Sequence, residues 1–216
     1  MIAIIAILAA LLLPALATAK AKAQRIVCTN QNKQMLAATH LYANDFDDRL
    51  PYNGAGQPPP GPQYYHSWVA LYTNGNFECR LGQLYPYLTS TNIYLCAADK
   101  RDDSYFAGRI VKCTSYCWES TSTGRSTGVG PSATWNNGVG LKLNLFRADG
   151  ILIMELDPHS PVRFNDAAVD PNEDESTIHG KGAVIGCYAG SAEYMTFRAW
   201  KIEQQLLPSR LNCWPD

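Results

Sequence analysis

The chain opens on an unbroken apolar run. Between Met1 and Ala19, 17 of 19 residues are hydrophobic and none is charged. A run of that length is close to the ~20 residues a helix needs to cross the hydrocarbon core of a bilayer. Pro14 falls inside it, a residue better tolerated by a helix in lipid than by one in water. After Ala19 the pattern changes without breaking. Val27, Met35, Ala38, Leu41, Tyr42 and Phe46 recur at three- and four-residue steps, while Lys20, Lys22, Arg25, Asn32 and Lys33 fall largely off that stripe. No Gly precedes Gly54, and Pro14 is alone before Pro51. The spacing therefore predicts one continuous helix from about Ile2 to Phe46, roughly 65–70 Å long at 1.5 Å per residue.

Past Asp47 the periodicity stops. Asp47-Asp48, Pro51 and Asn53-Gly54 are helix-ending residues. Gly54 to Pro62 reads as a Pro/Gly loop, and Ser120 to Gly140 as a long Ser/Thr/Gly loop that contains Trp135. Ile151 to Leu156 has the composition of a buried strand, and Ala183–Tyr188 and Ala192–Phe197 flank a short turn as the arms of a hairpin do. Ala199 to Leu207 predicts a last short helix, closed by Pro208. The expected fold is α+β: a long helix with a membrane half (1–19) and an amphipathic half (20–48), packed on the antiparallel sheet of a head spanning 49–216.

Charge follows the same division. Lys20, Lys22, Arg25 and Lys33 all precede the first acid, Asp45, so a +4 collar separates the apolar run from the rest. The remainder holds 14 of the 18 Lys and Arg against all 19 Asp and Glu. A formal net charge of −1 argues against a protein that coats nucleic acid. With 46% hydrophobic residues the chain has the material for a packed core. We find no internal repeat and no nucleotide-binding loop. Ala17-Thr18-Ala19 is an A-x-A site, so a cleaved signal peptide leaving Lys20 as the mature N-terminus is the competing reading. A discarded signal has no need of a helix that continues past its cleavage site.

Two segments carry a family resemblance. Ile2-Ala3-Ile4-Ile5-Ala6-Ile7-Leu8-Ala9-Ala10-Leu11-Leu12-Leu13-Pro14-Ala15-Leu16 resembles the hydrophobic helix of type IV pilin-like proteins. Arg25-Ile26-Val27-Cys28-Thr29-Asn30-Gln31-Asn32-Lys33-Gln34, followed by Leu41-Tyr42-Ala43-Asn44-Asp45, is similar to bacterial pseudopilin-like proteins with a prepilin-type cleavage/methylation segment. The run from His179 to Gly190 is similar to the H-X9-DG ending of that group, with Ala189 where the family has Asp. Asp-Gly suits a two-residue hairpin turn because both positions tolerate positive φ. Ala there implies a different turn or a lost His–Asp contact, and we expect the former.

The resemblance implies a pilin-like fold and a structural, non-enzymatic subunit of a type II secretion or type IV pilus-like filament. The implied setting is the bacterial inner membrane, crossed once, with the head in the periplasm or outside the cell. Its partners would be other pilin-like subunits and a prepilin peptidase. The family's basic leader, its cleavage-point Gly and the Phe-Thr-Leu-Ile-Glu run precede this point, and Met1 falls where the family has Val. We therefore expect the reading frame to start further upstream. As written, the collar would hold the head in the cytoplasm by the positive-inside rule, and a basic leader would compete with it. The alternative function is a stalk-displayed head that binds a surface, with carbohydrate stacking on Tyr64, Tyr65, Trp68, Trp118 and Trp135.

Candidate chemistry is sparse. Seven cysteines in an exported head point to disulfides, with at least one thiol left over. Cys28 and Cys96 stand at family-like positions and are the candidate pair; Cys79, Cys113, Cys117, Cys187 and Cys213 leave too many pairings to choose among. Cys113-x3-Cys117 has no second close Cys or His pair, so zinc is not expected there. Asp166, Asp170, Glu173, Asp174 and Glu175 offer calcium an acidic loop at 166–175 but lack EF-hand spacing, and the default is a solvated charge run. His40, His66 and His159 accompany no nucleophile motif, so no catalytic residue, cofactor site or metal ligand is expected. His179 and Gly190 mark family membership.

Overall fold

The computed structural model describes residues 2–52, 66–73, 76–119, 139–159, 167–169, 176, 178–206 and 209–211. The Gly54–Pro62 loop, most of the Ser120–Gly140 loop, Tyr64, Tyr65, Trp135, the five acids of the 166–175 loop and Cys213 lie outside them.

Helix α1 runs unbroken over Ile2–Asp45, with Pro14 inside it. At 1.5 Å per residue its 44 residues reach roughly 65 Å. Its two halves meet different surroundings. From Ile4 to Leu16 the large apolar side chains touch no head, with Leu8 55% and Leu11 72% exposed. This is the one helix, among the described residues, long and apolar enough to cross a membrane, with a mean hydropathy of 2.2 over its most apolar 18 residues. The second half buries Cys28, Asn32, Met35, Leu36, Ala38, Thr39, Tyr42 and Ala43. That face is rotated from the one the sequence predicts, because Val27, Leu41 and Phe46 are exposed. Two polar residues occupy the buried stripe by donating back along the helix: the Asn32 amide to the Cys28 carbonyl (3.1 Å) and the Thr39 hydroxyl to the Met35 carbonyl (2.8 Å).

The helix stops where Asp47 and Asp48 both take positive φ, 55° and 61°. Asp is among the few residues that visit this region at small cost. The reversed chain forms strand β1 (Arg49–Pro51), antiparallel to β5 (Val139–Lys142), while β2 (Leu71–Thr73) and β3 (Asn76–Glu78) make a separate hairpin. Helices α2 (Tyr85–Leu88) and α3 (Ser104–Gly108) lie between that hairpin and the main sheet in sequence.

The main sheet has five strands in the order β7-β4-β6-β8-β9. They are β4 (Tyr116–Glu119), β6 (Ile151–Glu155), β7 (Ala168–Val169), β8 (Gly182–Cys187) and β9 (Ala192–Thr196). The expected antiparallel pairing holds for β4–β6–β8–β9, whereas β7 pairs parallel to β4 at the edge. One face of the sheet packs on α1 through Tyr116, Trp118, Leu152 and Val184. The other closes over Cys117, Met154, Ile185, Cys187 and Met195 under Trp200 of α4 (Phe197–Glu203). Gly186 of β8 lets the helix come close, since a Cβ there would meet Leu36 Cδ1 at 2.9 Å and Asn32 Oδ1 at 3.2 Å.

The β8–β9 turn is of a kind that accepts Ala189. The Gly190 N–H donates to the Cys187 carbonyl at 2.9 Å, and positive φ falls on Gly190 (90°), with Ala189 outside the left-handed region. Gly190 thus carries the strained position alone, and no Asp is needed.

Candidate functional site

Four chemistry-bearing side chains from four separate elements meet beneath the seated half of α1. Cys28 comes from the helix, Cys96 from the loop ahead of α3, Glu155 from the end of β6, and His179 from the turn into β8. One ligand atom from each lies within 4.8 Å of all the others. The Cys28 and Cys96 sulfurs are 2.7 Å apart, as thiols. His179 Nε2 is 3.5 Å from Cys96 Sγ and 3.2 Å from Glu155 Oε1. Burial is nearly complete: the side chains of His179 and Glu155 are 1% and 0% exposed.

The backbone holds each member in place. Gly182 accepts the His179 N–H at 3.3 Å, fixing the turn, and the Val184 N–H donates to Glu155 Oε2 at 2.7 Å. Cys96 is set by a buried polar chain. Its N–H donates to Ser115 Oγ (3.0 Å), which donates to Asp99 (2.6 Å), which is gripped in bidentate fashion by Arg109 (2.6 and 2.9 Å). The Ala98 N–H then points back at Cys96 Sγ from 3.4 Å.

The electrostatics are those of an enclosed ion cluster. The Cys28 thiol is lowered to about 4, first because Cys96 donates to it, with burial opposing and further help from His179, Tyr116 and the Ala97 backbone. Cys96 is pushed up, chiefly because it keeps the proton of that S–H···S contact. For His179 burial works against the charge, but bonds to Cys28 and Glu155 outweigh it and raise the imidazole to about 9. Burial raises Glu155, against the pull of His179. Tyr116, whose hydroxyl donates to Gln31 Oε1 at 2.8 Å, is also raised by desolvation.

A Cys–His–acid set invites comparison with a hydrolytic triad, but the geometry differs. A triad uses the two imidazole nitrogens on opposite sides, one facing the nucleophile and the other the acid. Here the same nitrogen, Nε2, faces both sulfur and carboxylate. The cluster also lies under the helix, where Cys28 is 0% exposed. Its geometry is convergence on a shared point.

The structure deals with the other sequence candidates as follows. Among the described residues a disulfide joins Cys79 to Cys113, a pairing the sequence left open, with Cα atoms 5.7 Å apart. Cys113 and Cys117 are thereby separated, one bonded to Cys79 and the other buried in the far layer of the sheet. His179 joins the cluster, whereas Gly190 supports the hairpin turn beside His40. His66 and His159 are exposed and remote from it. Trp68 and Trp118 are fully buried and stack with centroids 5.1 Å apart. Sequence reasoning missed Glu155 as a site residue, although an acid ending the apolar strand Ile151-Leu152-Ile153-Met154 was a visible anomaly.

Comparison with protein-family models, with curated proteins and with solved structures finds no match to the chain. The site has to be read from its own chemistry.

Proposed function

We propose that this chain is a structural, pseudopilin-like subunit of a type II secretion or type IV pilus-like envelope filament. Its pilin-like head rides on one helix anchored in the bacterial inner membrane. The observation that carries the reading is the continuity of α1: a bare apolar half passes without a break into a half seated on the sheet. Rigid continuity transmits the position of the head to the membrane segment, which an anchor joined by a flexible linker does not do. In the assembled state the apolar halves leave lipid and bundle with those of other subunits. Burial of apolar surface that would otherwise face water favours that bundle by roughly 25 cal/mol per Å². The collar supports the same picture, since Arg25 lies over the Tyr194 ring at 4.4 Å and so belongs to the head.

The display of an adhesive head is the second reading, and two of its candidate aromatics, Trp68 and Trp118, are core residues. N-terminal sequencing and intact mass of the protein from its own cells test the proposal. A methylated mature N-terminus that retains the apolar half, together with helix-to-helix cross-linking through Leu12→Cys in filaments sheared from whole cells, is the expected result. A mature start at Lys20 would overturn it.

A further inference from the structure

We propose that Cys28, Cys96, His179 and Glu155 form a structural zinc site that bolts the stalk helix to the head. The donor set is the first argument. Two sulfurs, an imidazole nitrogen and a carboxylate oxygen suit a borderline-soft divalent ion and not calcium or magnesium, which take oxygen donors. Number and burial form the second. Four donors complete a tetrahedron and leave no open position, and the cluster is closed to solvent, as structural zinc sites are.

Geometry is the third argument. Bonds of about 2.0–2.3 Å to a central ion put tetrahedral donors roughly 3.3–3.8 Å apart. The His179–Glu155 and Cys96–His179 separations, 3.2 and 3.5 Å, stand close to those edges. The sulfurs, at 2.7 Å, must separate by about 1 Å to admit the ion. Rotation of the two cysteine side chains about χ1 can supply that separation without moving either backbone.

Outer contacts are the fourth. The Ala98 N–H aimed at Cys96 Sγ and the Val184 N–H on the second carboxylate oxygen are the hydrogen bonds that orient ligands and stabilise them as anions. The ion would join α1, the Cys96 loop, β6 and the β8 turn, four segments distant in sequence. Its loss would loosen the seat of the helix on the sheet without abolishing it, since the apolar contacts of Met35, Leu36 and Tyr42 remain. The inference holds whether the apolar half sits in lipid or in a filament.

The test uses the full chain, purified anaerobically in detergent without chelator. Elemental analysis is expected to find one zinc per chain, and X-ray absorption at the zinc edge two sulfur and two nitrogen or oxygen neighbours. Exchange with cobalt should give the visible bands of a tetrahedral ion with a thiolate charge-transfer band. Cys28→Ser and Cys96→Ser should each lose about half of that charge-transfer intensity and the double variant all of it, whereas Cys117→Ala, in the other layer of the sheet, should keep it. A zinc-free chain that takes up no cobalt would overturn the proposal. So would a sulfur-free zinc shell, or a native protein in which a proteolytic peptide links Cys28 covalently to Cys96. The absorption measurement on the unmodified chain decides the matter even if the serine variants fail to fold.

Discussion

At the scale of single residues, His179 is held charged by what faces it. In the metal-free chain its pKa is raised from 6.5 to about 9, against burial, by Cys28 and Glu155. A raised folded-state value means the stabilisation is complete below the unfolded pKa and disappears as the pH climbs through the folded one. His179→Gln would leave Glu155 and Cys28 without their countercharge, a change that costs roughly 3 kcal/mol when a buried pair loses one partner. Denaturant unfolding of the metal-free, detergent-solubilised protein should therefore show a large wild-type advantage near pH 6 that shrinks as the pH rises above 6.5 and is largely gone above about 9. An advantage independent of pH would mean that His179 acts by packing alone. The hairpin supplies a second residue-scale contrast. Gly190→Ala forces a side chain onto φ 90° and should cost about 1–2 kcal/mol. Ala189→Asp, at a position of ordinary φ, should change stability by less than about 0.5 kcal/mol.

At the scale of the element, α1 is one helix with two surroundings, and substitutions should separate them. Leu36 is 1% exposed and sits against Gly186, so Leu36→Ala should cost the head about 2–5 kcal/mol. Leu12 is 66% exposed and touches nothing in the head, so Leu12→Ala should leave the same unfolding transition within about 0.5 kcal/mol. The extent of α1 was legible because composition carries it: no Gly, no interior Pro past Pro14, then Asp47-Asp48. Its buried face was less so. Hydrophobic periodicity favoured Val27 and Leu41, while the sheet selects Cys28, which meets Cys96, and Asn32 and Thr39, whose side chains donate back to the helix's own carbonyls. The strands β6, β8 and β9 were readable from their apolar content, but β7 and β4, of two and four residues, are too short to stand out. The cluster itself was hidden by distance. Cys28, Cys96, Glu155 and His179 contain no close ligand pair, and only the topology brings them together.

At the scale of the whole molecule, a sealed head and an uncovered apolar stalk are joined by a basic collar. The large apolar side chains from Ile4 to Leu16, 55–72% exposed, need lipid or other chains to cover them. If lipid is the cover before assembly, the native chain should remain in the membrane pellet after alkaline carbonate extraction. Placing charge at two positions in mid-span, Leu8→Arg with Leu12→Arg, should release it, since each Arg near the centre of a span costs about 2.5–3.5 kcal/mol. The head of the released variant should still form its Cys79–Cys113 bond and unfold at the wild-type denaturant midpoint, because neither substituted residue contacts it. Extraction of the unsubstituted chain would instead assign the stalk to a protein-covered environment from the outset. Release coupled to a lost head transition would show that the two halves of α1 are energetically one unit, and the anchor would then be part of the fold rather than an attachment to it.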